Sequence, residues 1–125
     1  MAKLRVWYVN LFVHDLGRAV DFYQHKLGLP LRFRDDAFGY AAFGTEGAGL
    51  SLARVDPAAG NAAGLVGRHT GVALGVPDLQ AAHAELAARG VAFDMPPTRQ
   101  PWGGMLATFR DPDGNVLYLD QLREE

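Results

Sequence analysis

One eight-residue pattern occurs twice in this chain. Val9-Asn10-Leu11-Phe12-Val13-His14-Asp15-Leu16 is echoed sixty-three positions later by Val72-Ala73-Leu74-Gly75-Val76-Pro77-Asp78-Leu79. In each copy three apolar residues alternate with others, and each copy ends on Asp-Leu. Alternation at period two marks a strand with one buried face. An Asp placed just before a helical pattern is an N-cap signal. The repeat therefore constrains the chain to two copies of one strand-into-helix unit.

The remaining pattern extends each copy in the same way. A first strand is expected over 5–13, with Val9, Leu11 and Val13 on one face and Tyr8, Asn10 and Phe12 on the other. Leu16, Ala19, Val20, Tyr23 and Leu27 then follow helical spacing, closed by Gly28 and stopped by Pro30. Short strands are expected over 31–34, 40–43 and 49–55, separated by Asp35-Asp36 and Gly44-Thr45-Glu46-Gly47. Residues 56–69 open with a stretch rich in Ala, Gly, Pro and Asn that has little to bury, and they read as a linker. The second copy offers a strand over 70–76, a helix from Asp78 to Gly90 and a strand over 91–94. A loop over 95–104 follows, then a hairpin of 105–110 with 116–122. Its turn, Asp111-Pro112-Asp113-Gly114-Asn115, has Pro to set φ and Gly to supply positive φ. The expectation is an α+β fold in a single domain, 1–125, made of two βαβββ modules over 4–55 and 70–125.

Bulk chemistry narrows the function classes. A length of 125 residues holds one domain or two small halves sharing a core. A net charge of −2 gives no reason to expect nucleic acid or an anionic membrane as partner. The chain has no Cys, which excludes disulfides, thiolate nucleophiles and Cys-based metal sites. With no apolar run of signal-peptide or membrane-spanning type, the expected location is cytoplasmic.

Val9 to Asp15, then Phe22-Tyr23 and Leu27-Gly28, then Asp111-Pro112-Asp113-Gly114-Asn115 together resemble the vicinal oxygen chelate superfamily. That group includes glyoxalase I, extradiol dioxygenases, fosfomycin resistance enzymes and bleomycin resistance proteins. The resemblance covers nearly the whole chain. It implies paired βαβββ modules whose sheets curl around a central cleft, with helices outside, and commonly a homodimer. It also implies, in the enzymes of the group, a divalent metal held by His, Glu or Gln from four strands. Those positions fall here on Tyr8, Ser51, Gly71 and Tyr118. None is a good ligand for a hard or borderline cation, so no metal or other cofactor is expected. His69 and Asp120, on the faces of Gly71 and Tyr118, are the only weak candidates for a rearranged site.

What the same face offers instead is aromatic and small. Tyr8, Phe12, Tyr40 and Tyr118 are expected to line it, with Phe38 near the approach to the third strand. Asn10, Ser51 and Asp120 are the candidate polar contacts, with Arg32, Arg34 or Arg110 at the rim; Arg34 reads as a solvated pair with Asp35-Asp36, and Arg110 is placed either to brace the last hairpin or to meet an anionic ligand. Pro101-Trp102-Gly103 resembles the stretch that places a Trp in the ligand groove of bleomycin resistance proteins. A flat ring on a Gly/Pro loop suits stacking on planar heteroaromatics; the alternative is that Trp102 only packs structurally. The leading expectation is a binding or sequestering protein for an aromatic or antibiotic-like small molecule, with ligand contacts at Tyr8, Asn10, Phe12, Tyr40, Ser51, Trp102 and Tyr118. The alternatives are a metal-dependent lyase, isomerase or dioxygenase with a rearranged site, and an interaction module without small-molecule work.

Overall fold

Each repeat builds a four-stranded mixed sheet backed by one helical segment. The computed structural model describes residues 2–56, 58 and 64–123. Part of the expected linker (57 and 59–63) and the last two residues of the second module (124 and 125) lie outside the described residues. Residues 1–66 and 67–125 form two compact units. The architecture is the expected α+β arrangement of tandem modules. No helix among the described residues is long and apolar enough to cross a membrane.

In the first unit β1 (Tyr8–Val13) leads into α1 (Leu16–Asp21), followed by β2 (Leu31–Asp35), β3 (Tyr40–Phe43) and β4 (Gly49–Arg54). The sheet order is β1-β4-β3-β2, with β1 parallel to β4 and the other pairs antiparallel. A parallel pair needs a long crossover, which the helix and the two intervening strands supply. Asp15 caps α1 as the sequence predicts, its Oδ1 accepting from the Arg18 backbone N–H at 3.0 Å. Leu11, Val13, Ala41, Phe43, Leu50 and Leu52 turn one face of the sheet into a core with Leu16, Ala19, Val20, Phe22 and Tyr23, all buried. Opposite them, Tyr8, Asn10 and Phe12 pair with Gly49, Ser51 and Ala53 on the other face.

Two boundaries differ from the sequence reading. The single α-helix expected through Leu27 instead widens at Phe22–Lys26 into a π-helical turn, with Leu27 N–H donating to Phe22 O at 3.0 Å. A wider turn reduces the angle between successive side chains. It lets the adjacent Phe22 and Tyr23 both enter the core, edge to face with centroids 5.1 Å apart. The first strand also starts at Tyr8 rather than Arg5. Its last link to β4 is Gly49 N–H to Trp7 O at 2.8 Å, and β4 itself begins at Gly49, so residues upstream of Trp7 have no ladder to join.

The second unit runs β5 (His69–Val76), α2 (Leu79–Ala88), β6 (Ala92–Arg99), β7 (Met105–Arg110) and β8 (Val116–Gln121), in the order β5-β8-β7-β6. Asp78 repeats the cap, accepting from Ala81 N–H at 3.1 Å. Leu79, Leu86, Val91, Ala107, Phe109, Leu117 and Leu119 form the core. His83 is half-buried on α2, its ring edge-on to Phe93 with centroids 4.5 Å apart. The first half of the loop expected over 95–104 is strand, because β6 continues through Pro96-Pro97 to Arg99. This is an edge strand, and its register with β7 shifts between Met95 and Thr98, so the missing proline N–H groups interrupt no regular ladder.

The Asp111–Asn115 turn is tied internally. The buried Asp111 carboxylate accepts from the backbone N–H groups of Asp113 and Asn115, and from Asn115 Nδ2, each at 2.9 Å. Gly114 supplies the expected positive φ, 84°. Asn115 Oδ1 accepts from Gly67 N–H at 2.9 Å and so binds the turn to the segment leading into β5. Removing this carboxylate strands three donors. Asp111→Ala should therefore cost about 2–4 kcal/mol in urea unfolding, while Asp111→Asn, which keeps one carbonyl acceptor, should cost less.

A candidate ligand-binding face

The polar and aromatic groups of the first unit meet on the sheet face away from its core. Ser51, only 1% exposed, lies opposite Asn10 on β1 and Ala42 on β3. The Tyr40 hydroxyl reaches diagonally across the sheet and donates to Ser51 Oγ at 2.8 Å. Phe33 faces the same side, opposite Ala42, its ring 6.2 Å from that of Tyr40. Tyr8 remains half exposed at 50% and stands edge-on to Trp7, with centroids 5.9 Å apart. A cleft of about 820 Å³ opens over this end of the sheet. Tyr8, Tyr40, Ala42, Gly49 and Ser51 line it from the strands, Arg5 to Trp7 from the N-terminal arm, and residues 44–48 from the turn before β4.

Tyr8, Asn10, Phe12, Tyr40 and Ser51 thus share one face of one sheet, as strand parity predicts. The arm residues Arg5, Val6 and Trp7 did not stand out in sequence, because the apolar alternation runs on smoothly into β1 and reads as more strand. Phe33 was missed too; a bulge in the β2–β3 pairing sets which of its neighbours share its face. Phe38 is almost wholly exposed in the turn before β3, away from the cleft lining.

The second unit holds the remaining candidates. Tyr118 lies opposite Ala73, and the His69 ring packs edge-on to it with centroids 5.0 Å apart. Between His69 and Ala73 the β5–β8 register shifts, and Gly71 sits in this irregularity with φ of 73°, a conformation that side-chain-bearing residues rarely adopt. His69 aligns with Val116, whereas Asp120 aligns with Gly75. Four residues of strand, roughly 13 Å, separate those levels, so His69 and Asp120 do not converge. Asp120 is instead paired with Arg123 at 3.2 Å. Arg110 braces its hairpin: it pairs with Asp94 on β6 at 2.8 Å and donates to Gly114 O at 3.5 Å.

Tested against a divalent cation, these residues do not fit. The four positions at which the resemblance places ligands offer two phenols, a hydroxyl already engaged by Tyr40, and a glycine. No group of three His, Cys, Asp or Glu side chains comes together among the described residues.

Trp102 stands at the tip of the loop joining β6 to β7. The loop is closed by Gln100 N–H to Gly104 O at 2.7 Å and Gly103 N–H to Gln100 O at 2.9 Å. The indole lies against Gly104, where any Cβ would overlap it, and the Arg123 guanidinium stands 5.0 Å from its centroid. It is nonetheless 56% exposed. Gly104→Ala should evict the ring, shifting indole emission to the red in a Trp7→Phe background. The stability cost should be about 0.5–1 kcal/mol, the scale of an exposed cation–π contact.

With this geometry in view, the similarities to known proteins are coherent. Residues 5–119 match the Glyoxalase/Bleomycin resistance protein/Dioxygenase superfamily. The chain belongs to this superfamily. A solved member of the same superfamily from Sphaerobacter thermophilus is 28% identical, with 96% of this chain and 98% of that one covered and a TM-score of 0.82. TnmS3, an antibiotic binding protein from Streptomyces sp. CB03234, is 35% identical, with 98% and 99% covered and a TM-score of 0.77. The uncharacterized protein YraH of Bacillus subtilis is 26% identical over 93% of this chain and 97% of its own length.

Proposed function

We propose that this protein binds and sequesters a planar aromatic, antibiotic-like small molecule without using a metal, as a cytoplasmic homodimer. The observation that carries the reading is the face of the first unit's sheet away from its own core, where Tyr8, Phe12, Phe33 and Tyr40 stand around Asn10 and Ser51. Aromatic walls with few, placed polar groups are the usual composition of a small-molecule site. Rings of this kind stack on planar ligands, and the hydroxyl and amide between them set orientation. The donor chemistry at Tyr8, Ser51, Gly71 and Tyr118 favours retention of ligand over Lewis-acid chemistry. The likeness to TnmS3 across nearly the full chain supports an antibiotic-type ligand.

The paired state is supported by the exposed apolar side chains Leu4, Val6 and Trp7 on the N-terminal arm, which a second chain would cover.

A thermal-shift screen of planar antibiotics, run with and without EDTA, tests the binding reading. A ligand at one hundred times its Kd adds about 2.7 kcal/mol to stability, enough to raise Tm by several degrees. The expected result is such a shift, unchanged by EDTA, with no stoichiometric metal in elemental analysis of protein purified without chelator. Tyr40→Phe should weaken the same ligand by about 1 kcal/mol, because Ser51 then loses the partner that fixes its hydroxyl. Tightly bound Zn, Ni, Fe or Mn at one per chain would overturn the metal-free reading. Light scattering at micromolar concentration checks the dimer.

A further inference from the structure

A buried carbonyl oxygen without a hydrogen bond is costly, and proteins keep few of them. Asn10 Oδ1 is such an atom: it is buried and has no partner among the described residues. It sits on the side of β1 away from the core, next along that face from the cleft-lining Tyr8, and its neighbour across the ladder is the cleft-lining Ser51. Ser51 Oγ accepts from the Tyr40 hydroxyl at 2.8 Å, which leaves the Ser51 proton available to donate. The two side chains stand on adjacent strands, roughly 4.8 Å apart, yet they do not bond to each other. An unmet acceptor and an available donor therefore lie side by side on a face walled by aromatic rings.

We infer that Asn10 and Ser51 form a paired polar anchor for a ligand edge carrying an N–H next to a C=O, that is, the lactam edge of a fused aromatic ring. The ligand N–H donates to Asn10 Oδ1, and the ligand carbonyl accepts from the Ser51 hydroxyl. No hydrogen bond holds Asn10 Oδ1 in its present orientation, so the amide turns to meet the ligand without breaking one. The Tyr40 hydroxyl fixes Ser51 from behind, and the ring system itself lies between Tyr8 and Tyr40. The acceptor that costs stability in the free protein thereby contributes to affinity, a trade expected of a binding residue rather than of a core residue. The inference rests on the reading of this face as a site for planar small molecules.

Carbostyril and its lactone isostere coumarin separate the two ideas, because a ring oxygen in place of the N–H removes the donor, keeps the carbonyl and adds no bulk. Calorimetric titration of the full chain should show carbostyril binding at least tenfold more tightly. Asn10→Leu and Asn10→Ala should each abolish the preference for carbostyril over coumarin. The unliganded Tm of Asn10→Leu should equal or exceed that of the parent, since the unmet acceptor is gone. Equal affinity of the two compounds for the parent protein would overturn the anchor while leaving the aromatic site standing. A preference for carbostyril that survives both substitutions would also overturn it. Failure of both compounds to bind at millimolar concentration would remove the aromatic site and the anchor together.

Discussion

Side chains on a strand alternate, so every residue that builds the core has neighbours committed to the opposite face. In the first unit Leu11 and Val13 are buried while Asn10 and Phe12 face the other way, and Leu50 and Leu52 flank Ser51 in the same manner. The core side is bound to the helical segment and tolerates little change in volume. The other side carries no such demand, so its chemistry can diverge without disturbing the architecture. That separation explains how the positions where the resemblance places metal ligands can be Tyr8, Ser51, Gly71 and Tyr118 without loss of either sheet.

Most of the architecture was legible because it depends on local signals. The two Asp caps, the alternation of Val9, Leu11 and Val13 with its echo, and the turn at Asp111 each have a mechanism that acts within a few residues, and each stands in the structure. The departures come from context. Whether Pro96-Pro97 ends a strand depends on whether that strand lies at an edge, which is a property of sheet order. The π-helical turn depends on two adjacent aromatic rings competing for one core, which periodicity does not register.

The site was legible in part. Parity assigned Asn10 and Ser51 to one face, but did not show the hydrogen bond that Tyr40 makes to Ser51, which spans the sheet diagonally. Nor did parity show that His69 and Asp120 lie at different levels of one sheet, because that follows from how β5 pairs with β8. Trp102 raised a question that composition alone left open. The structure places its ring against Gly104 and beneath Arg123, so a ligand stacking there would have to compete with a cation already in position.

Strand order has a consequence for the birth of the molecule. In both units the strand made last is not at an edge: β4 lies between β1 and β3, and β8 lies between β5 and β7. Neither sheet can close progressively from one side as the chain emerges. The first unit has all of its strands once synthesis reaches Arg54, but the second keeps a gap beside β5 until Gln121 has been added. Until then β5 and β7 each present an unpaired edge, the kind of surface that recruits wrong partners. A chain cut short before β8 would carry every strand of its first sheet beside a second sheet with an open, adhesive gap.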